Sequence, residues 1–357
     1  MGAQFLGTLA IAMLVVSGCS GTVEGRAVKG DGSGAAPTST ASQPPSYRDK
    51  LSPELRKQVD HAREIQKIDP CSLIDLEAAG RLATIASVGT DTRPINCEVE
   101  YEVPKQPSGD AFDSYSEVPG LPHQLNGGQR YPDRDSGETP HNIGSMCFMG
   151  LFTGYEDAEG KETISYSLTV SSGPSGTKDQ PPRCQDLESV VNASRSLTAH
   201  PTTRSESRRI AQSKLMTIDP CAVVDVLSRD QKLEVTGPIS PFGCVFRTEG
   251  TTGSATKRSV TLMFEEPDIV RRALAYAKSG RSSTSKYVEV LGMPADLGSD
   301  CRVIAYLDPD HPVTGSDPMS KKPWVPAVMV GGEDTDPGCQ SIVTAATEVV
   351  RLYKEAK

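Results

Sequence analysis

The sequence predicts an α+β chain of two tandem, disulfide-stapled modules, each an antiparallel sheet with flanking helices. Three observations predict it. Ile68-Asp69-Pro70-Cys71 returns letter for letter as Ile218-Asp219-Pro220-Cys221. Each tetrad opens a run of four cysteines: Cys71, Cys97, Cys147, Cys184, then Cys221, Cys244, Cys301, Cys339. Their gaps are 26, 50 and 37 residues in the first run and 23, 57 and 38 in the second. Within each run the apolar period passes from helical to alternating and back to helical, which is α+β order rather than alternating βαβ units.

The chain has 357 residues, enough for two domains of ordinary size, and a net charge of −9. That charge argues against a nucleic-acid partner, which requires a basic field to replace phosphate counterions. Residues 1–18 read as a signal segment. Phe5–Val16 is an apolar run too short to cross roughly 30 Å of hydrocarbon, and no Lys or Arg precedes it. It ends in Val16-Ser17-Gly18-Cys19, a lipobox-like pattern. Small residues at 17 and 18 admit the peptidase, and the Cys19 thiol is the expected site of lipidation. Residues 19–48 are rich in Gly, Ser, Thr, Ala and Pro, and read as a disordered tether spanning roughly 30 Å. Module one is expected over 49–200 and module two over 201–357.

The elements follow in order. Leu51, Leu55, Val59, Ala62 and Ile65 recur at helical spacing, with Ser52 as cap and Pro53 in the first turn. Each tetrad repeats that logic: Asp69 or Asp219 caps a helix and Pro70 or Pro220 enters its first turn. Leu73, Ile74, Leu76 and Leu82 supply the buried face, matched by Val223, Val224, Val226 and Leu227. Ile95, Cys97, Val99, Tyr101 and Val103 alternate with Asn96, Glu98, Glu100 and Glu102, a strand with one wet face. Cys147–Tyr155 and Thr163–Ser171 form a hairpin around Asp157-Ala158-Glu159-Gly160. In module two, Cys244–Thr248 turns into Val260–Phe264, and Cys301–Leu307 and Val325–Val330 are further strands. Helices close the modules after Cys184 and after Cys339. Asp268–Ser279 reads as an extra helix in module two. Its counterpart, Lys105–His141, reads as a long, poorly ordered loop. Near Pro201 the modules meet, and Arg204, Arg208, Arg209 and Lys214 read as a solvated basic helix face, with anionic lipid as the alternative contact.

Eight thiols allow 105 pairings. Confining bonds within modules leaves nine, and one shared pattern leaves three. The first and third gaps barely change between copies while the middle gap changes by seven residues, and length varies most easily outside a closed loop. Cys71–Cys97, Cys147–Cys184, Cys221–Cys244 and Cys301–Cys339 are therefore expected, each closing a loop worth about 3–4 kcal/mol. Zinc is the rival use of these thiols, but no CxxC or paired CxH spacing exists. No metal and no cofactor is expected.

The lipobox-like segment, the tether, the Asp-Pro-Cys helix start and the four spaced cysteines together resemble the DUF3558 family of actinobacterial lipoproteins. The layout is also similar to the extracellular sensor domain of mycobacterial kinase H. Val290-Leu291-Gly292-Met293-Pro294-Ala295 looks like that group's Gly-x-Pro-Ala element; module one carries only His141-Asn142-Ile143-Gly144 at that place. The resemblance spans about Ile68–Tyr353. It implies an envelope-anchored α+β module with two disulfides and no enzymatic activity.

Motifs for chemistry are sparse. His61, His123, His141, His200 and His311 lack HxxxH or HExxH spacing, and no GxSxG is present. Ser175-Gly176-Thr177-Lys178 and Ser283-Thr284-Ser285-Lys286 satisfy SxxK without its partner motifs. Asp308, Asp310 and Asp317, and Glu333, Asp334 and Asp336, read as solvated turns rather than Ca²⁺ loops. Trp324 has two readings, packing against the sheet or stacking on a ligand. The expectation is a non-catalytic module on the outer face of the plasma membrane, held there by its lipid, that binds an envelope ligand or partner protein through a cleft between modules or a sheet face. An envelope hydrolase and a structural spacer are the alternatives. A Ser, Cys or Asp in reach of a His inside a pocket marks the hydrolase.

Overall fold

A computed structural model describes residues 46–107, 115–117, 120–132, 137–157, 160–171, 184–229, 232–249, 255–281, 284–332 and 339–356. Cys19, the segment before it, the tether up to residue 45, Ser175–Lys178, Ser283 and the acidic residues Glu333, Asp334 and Asp336 lie outside the described residues. No helix among the described residues is long and apolar enough to cross a membrane.

Helix α1 spans Pro53–Gln66, with the Ser52 hydroxyl accepting from the Leu55 amide and Pro53 in the first turn. The tetrads differ from expectation. Pro70–Leu73 and Pro220–Ala222 are single 3-10 turns, each capped by its aspartate: Asp69 accepts from the Cys71 amide at 2.8 Å and Asp219 from the Cys221 amide at 3.0 Å. In the first copy Ile74 is extended, because Asp75 captures the Ala78 amide and starts a new short helix, α2 (Leu76–Gly80).

Module one continues through β1 (Ile85–Thr90), β2 (Cys97–Tyr101), β3 (Lys105–Pro107), β4 (Tyr115–Glu117), β5 (Pro122–Pro132), β6 (His141–Ile143), β7 (Met146–Asp157) and β8 (Gly160–Val170), closing with α3 (Cys184–Ser194). Its antiparallel sheet has the order β1-β2-β5-β8-β7-β6; β3 and β4 form a separate ribbon. Strand β5 corrects the loop expected over Lys105–His141, since it lies at the centre of the sheet, paired to β2 and β8. Its glycines are used for close approach. A Cβ on Gly127 would stand 2.8 Å from the Tyr166 ring. Gly128 has φ +95°, and a Cβ there would stand 2.7 Å from Pro70 Cβ. Leu125, Ile164, Tyr166 and Leu168 bury one face of the sheet beneath Leu187, Val190 and Val191 of α3.

Module two carries α4 (Val223–Leu227), β9 (Leu233–Ser240), β10 (Gly243–Glu249), β11 (Ala255–Glu265), α5 (Pro267–Lys278), β12 (Ser285–Val290), β13 (Met293–Gly298), β14 (Val303–Tyr306), β15 (Val325–Gly332) and α6 (Gln340–Glu355). Its sheet order is β12-β13-β14-β15-β11-β10-β9, antiparallel throughout. Both faces are covered at β15. Val328 and Val330 pack in the core that holds α6, while Val325 and Ala327 pack against Val270 of α5. That explains why Val325–Val330 reads as an apolar run rather than an alternation. The Gly-x-Pro-Ala element makes the two-residue hairpin between β12 and β13, with Leu291 at φ 50° and Gly292 at φ 77°.

All four disulfides join the expected pairs: Cys71–Cys97, Cys147–Cys184, Cys221–Cys244 and Cys301–Cys339. Each ties a helical turn or helix start to a strand or its approach.

Pro45–Lys357 forms one compact unit holding, among the described residues, two large apolar cores and a smaller one beneath α5. Chain segments cross between them. Order begins before Asp49: Ser46 caps a 3-10 turn over Tyr47–Lys50, and Tyr47 is buried in the core of module two. The Tyr47 hydroxyl donates to Asp219 at 2.7 Å, and its amide donates to Asp225. Conversely, Ile210, from the start of module two, packs in the core of module one. Backbone hydrogen bonds Val88 N to Met319 O (3.0 Å) and Phe264 N to Thr92 O (2.8 Å) stitch the two sheets' surroundings together.

Candidate functional site

The basic helix expected around Arg204 is not formed. Residues 201–213 are turns and bends, followed by a 3-10 turn over Lys214–Thr217. The reason is Arg204, which is 6% exposed rather than solvated. Its backbone amide donates to Lys67 O at 2.7 Å, its Nε donates to Gln66 O at 2.8 Å, and its Nη2 donates to Pro94 O. The guanidinium carbon stands 4.9 Å from the Phe242 ring centroid, a cation–π distance. Drawing the side chain inward bends the linker over the end of α1. Gln212 holds the bend by donating to Arg204 O and Ser207 O at 2.8 and 3.1 Å.

Beneath this bend lies a cavity of about 410 Å³ between α1 and the linker. Arg63, Gln66 and Lys67 line it from the last turns of α1, and Arg204, Ile210, Ala211 and Met216 from the opposite wall. The volume falls in the range of small-molecule pockets, about 300–1,000 Å³. Gln66 is the keystone: its side chain donates to Ile218 O at 2.8 Å and accepts from Arg63 Nη1 at 2.6 Å. No carboxylate lines the cavity among the described residues, whereas three cations do. Arg204 Nη1 is buried without a hydrogen-bond partner. Burial, opposed by Asp69, pushes the Arg204 guanidinium down to about 10. Asp69 is itself raised by burial, against hydrogen bonds from Ser207 and the Cys71 amide.

A second polar cluster sits where β2 meets module two. The face of β2 expected to be wet is covered by the segment before β15. Lys322 Nζ lies 3.6 Å from Glu98, 3.8 Å from Glu100 and 3.2 Å from Glu266. The Glu98 side chain is only 13% exposed; burial and the neighbouring Glu100 push its carboxyl up to about 7 against the pull of Lys322. Burial also acts on Glu100, but hydrogen bonds from Ser87 and Glu98 and the Lys322 charge outweigh it and hold that carboxyl low. Trp324 lies beside this cluster. It is 2% exposed, packed against Phe264 at 6.2 Å between ring centroids and covered by Lys322 at 4.9 Å. Packing is thus the role the structure gives Trp324; its ring offers no free face for a ligand to stack on.

His61 and His311 bond carboxylates. His61 Nε2 is 2.9 Å from Glu162 Oε1, and its ring stacks on Tyr155 at 3.5 Å. Thr153 donates to the other oxygen of the same carboxylate at 2.8 Å. Hydroxyl and imidazole therefore share an acceptor rather than bonding each other, and the cluster docks α1 on the β7–β8 hairpin. His311 Nδ1 is 2.7 Å from Asp308 in an exposed turn. Among the described residues no three His, Cys, Asp or Glu side chains gather around a metal-sized gap. Arg204, expected on a solvated helix face, is instead buried in the cavity wall. The only signal for Arg204 was its place in a short linker, where charge usually means solvent.

No family model matches the chain, and no curated protein matches it. Among solved structures, the di-domain ARO/CYC BexL from the BE-7585A biosynthetic pathway aligns at 10% identity over 80% of this chain and 91% of that one. Its TM-score is 0.14, which carries no argument about fold or function.

Proposed function

We propose that the chain is an extracytoplasmic protein, anchored to the outer face of the plasma membrane through lipidated Cys19, whose non-catalytic task is to bind an envelope ligand between its modules. The observation that carries the binding role is the inter-module cavity of about 410 Å³, walled by α1 and the linker. Support for the compartment comes from the lipobox-like Val16–Cys19, and from four disulfides, which persist in oxidising surroundings.

The test has two arms. Cells labelled with a lipid precursor should yield a labelled chain, and Cys19→Ala should abolish the label; unchanged labelling removes the anchor. Pro45–Lys357 exposed to a small-molecule extract of the envelope should gain a bound mass in native mass spectrometry. Ser205→Trp, which places a bulky ring at an exposed position on the cavity wall, should abolish that gain. A bound mass indifferent to Ser205→Trp would move binding elsewhere.

A further inference from the structure

We infer that the inter-module cavity takes a small amphiphilic anion, with a carboxylate or phosphate head at the α1 rim and an apolar body against Ile210, Ala211 and Met216. This rests on the binding role proposed above and adds the chemistry of the ligand. Charge is the first ground. The chain has 46 acidic and 37 basic residues, yet the cavity wall carries Arg63, Lys67 and Arg204 with no carboxylate among the described residues. Arg63 and Lys67 are four apart on α1 and so share a face. The Lys67–Glu64 pair, at 2.7 Å between side chains that are both well exposed, competes weakly for the ammonium.

Arg204 is the second ground. Two neutral carbonyls accept from its guanidinium, an aromatic ring faces it and one nitrogen has no hydrogen-bond partner; the Asp69 charge acts on it without forming an ion pair. A buried cation with no carboxylate in ion-pair contact is costly, and an anion bound nearby offsets that cost. Arg204 thus supplies field from the wall, while Arg63 and Lys67 supply donors at the rim. The third ground is the opposite wall, where Ile210, Ala211 and Met216 are apolar and buried. A bare inorganic anion would leave that wall unused, and a neutral oil would leave the cations unmatched.

Isothermal titration of Pro45–Lys357, which is a compact unit by itself, with octanoate, octyl phosphate, octylammonium and inorganic phosphate tests this. Octanoate or octyl phosphate should bind at least about tenfold more tightly than octylammonium or inorganic phosphate. Whichever of the two binds better identifies the head group as fatty carboxylate or phosphate ester. Arg63→Glu should weaken the preferred anion by about tenfold or more; Lys67→Glu, at an exposed side chain, serves if Arg63→Glu does not fold. Octylammonium binding as well as octanoate, inorganic phosphate binding as well as octyl phosphate, or indifference to both charge reversals overturns the inference. If no octyl compound binds while the envelope-derived mass remains sensitive to Ser205→Trp, the ligand chemistry is refuted and the site stands. If that mass is also absent, the binding role falls with it.

Discussion

Replacing Glu98 by Gln should flatten the pH dependence of stability. Glu98 lies in the seam between the modules, facing Lys322 and hydrogen-bonded by Gln124 at 2.6 Å. Its carboxyl is pushed up to about 7 in the folded protein, first by burial. The folded state therefore binds this proton more tightly than the unfolded chain, whose Glu titrates near 4.3. The resulting stability is fully present below about pH 4.3 and is lost as pH rises through about 7. At about 1.4 kcal/mol per unit the full loss is at most ~4 kcal/mol; the lowered Glu100 beside it changes protonation only below about pH 4.3 and leaves the pH 5–8 window to Glu98. Urea unfolding at pH 5, 6, 7 and 8 under non-reducing conditions is the assay. Wild type should lose roughly 1–3 kcal/mol more than Glu98→Gln between pH 5 and 8. Parallel curves would refute the reasoning, because they would mean that Glu98 is solvated and the modules do not close over β2.

Gly128→Ala should destabilise the fold by more than about 1 kcal/mol, since it adds a Cβ at φ +95° only 2.7 Å from Pro70. A urea midpoint unchanged from wild type would show that β5 does not press on the first tetrad. Tyr47→Phe should cost about 1–3 kcal/mol by leaving Asp219 short of a buried partner. An unchanged thermal midpoint would detach the segment before α1 from module two.

The cysteine pairing was legible in the sequence because a covalent loop constrains chain length, and the duplicated spacing exposed which loops were closed. Amphipathic elements such as α1, α5 and the β7–β8 hairpin were legible because their burial follows a local period. Strand β5 was not. Pro122-His123-Gln124-Leu125-Asn126-Gly127-Gly128 has turn composition, and its glycines make sense only once the Tyr166 ring and Pro70 stand against them. The helix expected after the first tetrad is broken at Ile74 because Asp75 offers a competing cap, whereas the second tetrad's turn runs on into α4.

The four staples and the α+β class with its antiparallel sheets were thus determined by the sequence alone, because each depends on spacing along the chain. The tertiary structure decided which charges face water. Arg204 and Glu98 look like surface residues in the sequence, yet one wedges under the linker and the other is sealed by Lys322. Their burial depends on residues from the far side of the inter-module seam, Phe242 for Arg204 and Lys322 for Glu98, and no local period in the chain records such a meeting.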